Sequence, residues 1–170
     1  MMGKVLIFDT SILCVWLGVP GKETCGSKDN FWNKAKVEKI LQQEEKLKTT
    51  FVLPLASIIE TGNHIAQSSN LRYEIALKLA ELMKLTADNQ TPWAAFTEQS
   101  ELWNSEQIKQ LADEFPQLAM QKLSLGDATI KGVADYYAKS GYEVEILTGD
   151  GGLKSYEPAK PPLIPRRKQK

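Results

Sequence analysis

The alternation of apolar and polar positions in the first twenty residues predicts a strand followed by a helix. Residues 4–9 form a short apolar run that ends in an acid, a pattern typical of a strand buried on both faces of a parallel sheet. Asp9, Thr10 and Ser11 then offer N-cap chemistry. The apolar residues that follow predict a helix, and Gly18 predicts its end.

The next part of the chain predicts three helices and a second strand. Between residues 29 and 47, apolar positions recur at helical spacing among Lys and Glu side chains, which indicates an amphipathic helix. Residues 49–54 predict the second strand, and residues 55–65 and 71–85 each show helical spacing. The glycine-rich segment over 18–30 is predicted to be an exposed loop.

The second half of the chain predicts two helices, a short strand and a final strand. Residues 91–96 are interpreted as the short strand and residues 105–115 as a helix. A serine followed three residues later by an acid, a variant of the capping box, opens a second helix at Ser124, and Gly141 ends it. The apolar face of that helix consists of Ile130, Val133, Ala134 and Tyr137. Residues 144–148 predict the final strand.

Alternating strands and helices predict an α/β domain with a central, mostly parallel sheet and right-handed crossovers. A length of 170 residues fits one domain, which we place at residues 1–156. Residues 157–170 are rich in proline and end in a basic cluster, so we expect an extended C-terminal tail.

The composition excludes several classes of protein. Lys and Arg number 21 and Asp and Glu number 21, which argues against binding of nucleic acid through bulk positive charge. The most apolar stretch, residues 5–21, contains Asp9 and is too short to span a bilayer. It is also a poor secretory signal, because a single Lys4 precedes an apolar run that Asp9 breaks after four residues. We therefore expect a cytoplasmic protein without a membrane partner. Cys14 and Cys25 are too few for a disulfide scaffold or a zinc site, and Cys14 is interpreted as buried.

Four acids lie where strands end or where the following helices begin. They are Asp9, Glu60, Asp127 and Asp150. Sites in open parallel sheets form outside the carboxyl ends of the strands, so these carboxylates are expected to converge there. Converging carboxylates either raise one another's pKa or hold hard divalent cations, and oxygen ligands favour Mg²⁺ or Mn²⁺.

The order and context of these acids resemble those of the PIN-domain nucleases. The motifs are Asp9-Thr10-Ser11, Ile58-Ile59-Glu60-Thr61, Leu125-Gly126-Asp127-Ala128 and Leu147-Thr148-Gly149-Asp150. The resemblance covers residues 5–153, and the compact form looks like the ribonuclease toxins of bacterial toxin–antitoxin pairs. It implies a three-layer α/β/α fold.

The resemblance also implies an activity, metal-dependent hydrolysis of phosphodiester bonds in RNA. Asp9, Glu60, Asp127 and Asp150 match the acidic quartet of the family, with Asp9 and Asp127 as the expected direct ligands of Mg²⁺ or Mn²⁺. Thr148 matches a hydroxyl residue that orients Asp150 or a water on the metal. An antitoxin protein and a second copy of the chain are the implied partners.

Two other functions are compatible with parts of this pattern. One is a catalytically silent PIN-like module that binds RNA or a protein. The other is a phosphotransfer enzyme of the haloacid-dehalogenase type, which is disfavoured because the second acid that it needs is replaced by Ser11. Ser11 is instead expected to hydrogen-bond beside Asp9, and the backbone N–H groups that follow are expected to be able to hold a phosphate.

Several further residues have two interpretations. His64 lies one helical turn after Glu60, so it is either near the metal or a surface imidazole. The aromatic residues Trp93, Phe96 and Trp103 either stack on unpaired bases or belong to the core or a dimer contact. The basic tail either follows RNA phosphates or is only a charged terminus, and consists of Arg166, Arg167, Lys168 and Lys170.

Overall fold

The computed structural model describes residues 3–162, except the side chain of Thr97. The strands are β1 (Lys4–Phe8), β2 (Thr24–Cys25), β3 (Trp32–Asn33), β4 (Thr50–Val52) and β5 (Glu143–Leu147). The α-helices are α1 (Thr10–Leu17), α2 (Lys34–Lys46), α3 (Leu55–Gln67), α4 (Arg72–Ala87), α5 (Ser105–Met120), α6 (Leu125–Lys139) and α7 (Gly151–Lys154). Two 3-10 helices cover Lys28–Asn30 and Phe96–Trp103.

The central sheet is parallel and has the strand order β4-β1-β5. β1 lies in the middle, with Ile7 opposite Val52 on one side and Ile146 on the other. Parallel neighbours need long crossover connections, which explains why helices separate the three strands along the chain. The predicted α/β class with a parallel central sheet is confirmed.

Helices cover both faces of this sheet. Successive side chains of a strand point to opposite faces. Leu6 and Phe8 belong to an apolar core shared with α1, α2, α3 and α4. Val5 and Ile7 belong to a second core shared with α6 and α7. The fold is therefore a three-layer α/β/α arrangement, as predicted.

The predicted helix ends are confirmed where a capping residue marked them. Asp9 caps α1 by accepting a hydrogen bond from the backbone N of Thr10, and Gly18 follows the last residue of α1. Ser124 caps α6 by accepting from the backbone N of Asp127 over 3.0 Å. α6 then ends at Lys139, two residues before Gly141.

The helix predicted over 29–47 begins later than expected, at Lys34. Asn33 caps it by accepting a hydrogen bond from the backbone N of Lys36. The residues before Asn33 are engaged elsewhere, because β3 pairs with β2 as an antiparallel hairpin and Asp29 lies in a 3-10 turn. Lys, Asp and Asn fit a helical pattern and a turn equally well, so the spacing alone gave too early a start.

The strand predicted over 91–96 is wrong. The chain makes one isolated parallel bridge there, between Trp93 and Phe51 on β4, and then enters a 3-10 helix at Phe96. The backbone N–H of Phe51 donates to the carbonyl of Pro92, and its carbonyl accepts from the N–H of Ala94. Pairing with β4 is limited to these two hydrogen bonds around one bridge, which is too short for a strand. The predicted helix after residue 105 is present as α5, but it continues past residue 115 to Met120 and includes Pro116.

No helix within residues 3–162 is long and apolar enough to cross a membrane. After α7 the chain turns back to the sheet, where Glu157 accepts a hydrogen bond of 2.8 Å from the backbone N of Ile146. The basic residues predicted as a tail lie outside the described residues, and they are Arg166, Arg167, Lys168 and Lys170.

Candidate active site

Asp9 lies at the carboxyl end of the central strand and is only 4% exposed. Its carboxylate accepts three hydrogen bonds, from the backbone N of Thr10 at 2.7 Å, the hydroxyl of Ser11 at 2.8 Å and the hydroxyl of Thr148 at 2.7 Å. Charge-assisted bonds of this kind hold a carboxylate in one orientation. The expected bond between Ser11 and Asp9 is therefore present, whereas the N–H of Thr10 is taken by Asp9 and is not free to hold a phosphate.

Thr148 connects Asp9 to Asp150. Its hydroxyl donates to Asp9 and accepts from the backbone N of Asp150 over 2.9 Å. Asp150 then caps α7, where Oδ1 accepts from the N of Gly152 over 2.8 Å. Thr148 thus orients the side chain of Asp9 and the backbone of Asp150.

Glu60 reaches the same place from α3. Its Oε2 accepts a hydrogen bond of 2.8 Å from the hydroxyl of Thr10. On its other side it lies against Gly126, where an added β-carbon would lie 2.0 Å from Oε1 of Glu60. Glycine at position 126 leaves room for the Glu60 carboxylate in this position, beside the residue preceding Asp127.

Asp127 is half-buried in the first turn of α6. Burial raises the pKa of its carboxyl, and the charge of Asp9 raises it further. The hydrogen bond with Ser124 lowers this pKa, and the charge of Asp150 raises it by a smaller amount. Two separate carboxylates therefore act electrostatically on Asp127. The structure brings all four predicted acids to one edge of the sheet, and we call Asp9, Glu60, Asp127 and Asp150 the acidic edge.

Within the described part of the chain, no Lys, Arg or His forms an ion pair with the acidic edge. Uncompensated carboxylates in partly buried surroundings suit a hard divalent cation such as Mg²⁺ or Mn²⁺. In residues 3–162, however, no group of three or more His, Cys, Asp or Glu side chains is close enough together to hold a metal ion. The donor chemistry fits a metal, but the four side chains are neighbours rather than a formed ligand shell.

Asn30 and Cys25 reach the acidic edge without having been predicted there. The Asn30 amide donates to the carbonyl of Thr148 over 3.3 Å and accepts from Nε1 of Trp32 over 2.9 Å. Cys25 packs so tightly on the turn after β5 that a β-carbon at Gly149 would lie 2.6 Å from its sulfur. The glycine at position 149 was the available signal, since glycine marks close approaches.

The other titratable candidates differ in their surroundings. Burial lowers the pKa of His64, the charge of Lys22 lowers it further, and Glu60 opposes them. The half-buried imidazole is therefore neutral near pH 7. Burial raises the pKa of Cys14 to about 11, which makes the thiol unreactive and confirms its interpretation as a buried residue.

The aromatic candidates separate into core and surface. Trp93 is 6% exposed and packs against Phe8 and Phe51, with ring centroids 5.3 and 5.4 Å apart, so it belongs to the core and does not stack on bases. Phe96 packs at the margin of the same core. Trp103 is exposed and lines a cavity of about 440 Å³ between the second 3-10 helix, α5 and α6.

Comparison of the chain with known protein families, with curated proteins and with solved structures found no match. What the acidic edge does is therefore inferred from its own residues.

Proposed function

We propose that this protein is a metal-dependent endoribonuclease that hydrolyses phosphodiester bonds at the acidic edge. The observation that carries the proposal is the electrostatic effect of Asp9 and Asp150 on Asp127, together with the absence of any ion pair between these acids and a Lys, Arg or His among the described residues. Such clusters of acids are unfavourable unless a bound cation compensates them. The resemblance to PIN-domain nucleases supports the same activity.

The residues of the chain have separate tasks in this proposal. Asp9 and Asp127 would hold a divalent cation, with Glu60 and Asp150 beside them. Bound Mg²⁺ or Mn²⁺ supplies a lowered pKa for water and charge stabilisation for the leaving oxygen. Thr10, Ser11 and Thr148 keep the Asp9 carboxylate in one orientation, and the three accepted bonds leave about one of its four acceptor sites unused.

The test is cleavage of a structured RNA with Mg²⁺, with Mn²⁺ and with EDTA. We expect cleavage by the wild-type chain with either metal, none with EDTA, and a loss of at least about a hundredfold in Asp9→Asn and Asp127→Asn. Asp135→Asn is the matched control, because Asp135 lies on α6 with Asp127 but pairs with Lys131 at 2.9 Å. Cleavage that persists in EDTA would refute the proposal, and so would cleavage that persists in both Asp9→Asn and Asp127→Asn.

A second candidate is a catalytically silent PIN-like module that binds RNA or a protein. It is favoured by one observation, that no group of ligating side chains in residues 3–162 is close enough to hold a metal. Calorimetric titration separates the two candidates. Heat of Mg²⁺ or Mn²⁺ binding that disappears in Asp127→Asn supports the nuclease, whereas RNA or partner binding without any metal binding supports the silent module.

We also propose a protein partner and action in the cytoplasm, as in a toxin–antitoxin pair. An apolar groove of about 440 Å³ lies between α3 and α4, and its lining includes Ile65, Ala66, Tyr73 and Met83. Exposed apolar surface of this kind marks interaction sites on soluble proteins. An antitoxin or a second copy of the chain would cover it. The mass of the purified assembly distinguishes the two, because a dimer of this chain has twice the mass of the monomer and a complex with an antitoxin contains a second polypeptide.

A further inference from the structure

A basic segment is attached to the acidic edge. It comprises residues 22–36, contains the hairpin of β2 and β3, and is called the basic hairpin here. Asn30 binds the carbonyl of Thr148, and a β-carbon at Gly149 would lie 2.8 Å from the backbone N of Gly26. Gly26 itself has φ +89°, and an added β-carbon would lie 1.8 Å from the carbonyl oxygen of Asn30. The hairpin is therefore held in one position beside the acids.

The charge of the basic hairpin is opposite to that of the rest of the described chain. Four of the 21 basic residues come after residue 162, which leaves 17 basic against 21 acidic residues in the described part. The hairpin instead has four lysines against Glu23 and Asp29. Lys34 lies 3.9 Å from Glu38, but Lys22, Lys28 and Lys36 form no ion pair within residues 3–162.

Two of these lysines act electrostatically on side chains next to the acidic edge. Burial lowers the pKa of His64, and the charge of Lys22 lowers it further, so Lys22 is within electrostatic reach of His64, which lies one helical turn after Glu60. Burial raises the pKa of Cys25, Ser11 lowers it, and Asp9 and Lys36 then act on it in opposite directions. Lys36 is therefore within reach of the Asp9 side, where it is oriented by a bond of 3.0 Å to the carbonyl of Phe31.

Phe31 provides an exposed aromatic ring on the same hairpin, between Lys22 and Lys36 in the sequence. Its side chain is 49% exposed, whereas that of the next residue, Trp32, is 7% exposed. Because the hairpin is held in one position, this ring is accessible for stacking on a planar group such as a base. The ammonium of Lys36 also lies 4.1 Å from the centroid of the Trp32 ring, so Lys36 contacts the residue next to Phe31.

We propose that the basic hairpin binds single-stranded RNA and places one phosphate over the acidic edge, with Lys22 and Lys36 on phosphates and Phe31 stacked on a base. This inference rests on the proposed nuclease function and extends it to the form of the substrate. An unpaired strand fits better than a duplex, because the bases of a duplex are stacked inside the helix and offer no face to Phe31. RNA fits better than an acidic peptide, because its unpaired bases can stack on Phe31 while its phosphates contact the two lysines.

The test measures RNA affinity and its salt dependence for the full chain. A short fluorescent, unstructured RNA is titrated by anisotropy with Ca²⁺ as the divalent cation. Lys22→Gln and Lys36→Gln should each weaken binding about fivefold and lower the slope of log affinity against log salt by about 0.7. Phe31→Ala should weaken binding about tenfold and leave the salt slope unchanged, while Phe31→Trp should retain affinity.

The controls separate a local fault in folding from a lost contact. Lys46→Gln changes a lysine at the far end of α2, the helix that begins at Lys34, and should change neither affinity nor slope. Lys36→Arg keeps the charge and should keep the slope. Equal affinity of wild-type protein for a duplex RNA or for poly-glutamate, or an unchanged affinity in all hairpin variants, would overturn the proposal.

Cleavage assays on the same variants separate this inference from the proposed function. If Asp9→Asn abolishes cleavage while the hairpin variants bind RNA normally, the hairpin proposal fails and the nuclease stands. If the hairpin variants lose affinity but no metal supports cleavage by the wild-type chain, the nuclease proposal fails and the RNA-binding hairpin stands.

Discussion

Thr148 donates its hydroxyl hydrogen to Oδ2 of Asp9 over 2.7 Å, although 139 positions separate the two residues in the chain. The bond joins the ends of two adjacent parallel strands, since Asp9 follows β1 and Thr148 follows β5. Both residues are buried, so water does not compete for this bond. The orientation of the central acid therefore depends on strand pairing as well as on its own helix.

The Thr148 hydroxyl is expected to contribute to stability and to activity. In Thr148→Val, Oδ2 of Asp9 loses a donor and the N–H of Asp150 loses its acceptor, so the free energy of unfolding should fall by about 1–3 kcal/mol. Urea denaturation measures this change. Thr148→Ser keeps the hydroxyl and should recover most of the stability and RNA cleavage, and a valine variant as stable as wild type would contradict the prediction.

The contact between Gly126 and Glu60 predicts different outcomes for two alanine substitutions on one helix. In Gly126→Ala, the new β-carbon would meet Oε1 of Glu60 at 2.0 Å, so the carboxylate must leave its position beside Thr10. We expect metal affinity and cleavage to fall about 10–100-fold, as for other residues that orient metal ligands. Calorimetry with Mg²⁺ or Mn²⁺ measures the first quantity.

Gly132→Ala is the matched control for this prediction. Gly132 also lies in α6, and an added β-carbon there would meet nothing within 4 Å. The variant should be more stable by about 0.5–1 kcal/mol, because alanine favours a helix interior over glycine, and its cleavage rate should be unchanged. Similar losses of metal affinity in both variants would show that Glu60 is not the cause.

The parts of the fold that could be predicted from the sequence are those specified by local signals. Asp9, Ser124 and Gly18 mark helix ends through chemistry that lies within a few residues of each position, and the structure confirms all three. The convergence of the acids was predictable because parallel strands end at the same edge. Position along the strands thus carried enough information to predict that these acids meet at one edge of the sheet.

The hairpin and the hydrogen bonds of the site depend on contacts that no local pattern records. β2 and β3 have two residues each, too few for an alternating pattern, and Asn30 finds its partner at Thr148. The bond between Thr10 and Glu60 also joins residues 50 positions apart. α5 illustrates the opposite case, because its amphipathic pattern predicts a helix correctly although none of its residues is buried.

Asp127 is expected to destabilise the metal-free protein in a pH-dependent way. Its pKa is raised by burial first and by the neighbouring charge of Asp9, so the folded state holds the proton more tightly than the unfolded chain does. The ionised carboxylate therefore lowers stability above the raised pKa, and this effect is lost as pH falls toward the ordinary value of about 3.9. Without metal, Asp127→Asn should melt at a higher temperature than wild type near neutral pH and at the same temperature in acid.

Thermal melts across this pH range in EDTA check the sign, and melts with Mg²⁺ check the cause. Mg²⁺ should stabilise the wild-type chain more than Asp127→Asn, because a ligand stabilises only the state that binds it. Asp135→Asn should show no gain near neutral pH, since Asp135 is paired with Lys131. A lower melting temperature for Asp127→Asn in EDTA would contradict the assignment of Asp127 as an electrostatically unfavourable ligand.

RNA binding is expected to require a divalent cation, because the acidic edge repels phosphate when it is empty of cations. The described chain has 17 basic and 21 acidic residues, and four of the acids lie at this edge. Two like charges about 4 Å apart in water repel each other by about 1 kcal/mol, which weakens binding about fivefold. In EDTA, Asp127→Asn should therefore bind an unstructured RNA about fivefold more tightly than wild type. With Mg²⁺ the order should reverse, so that wild type binds the RNA more tightly than Asp127→Asn. Anisotropy titrations that show the same order of affinities in EDTA and in Mg²⁺ would contradict a role of the acidic edge in RNA binding.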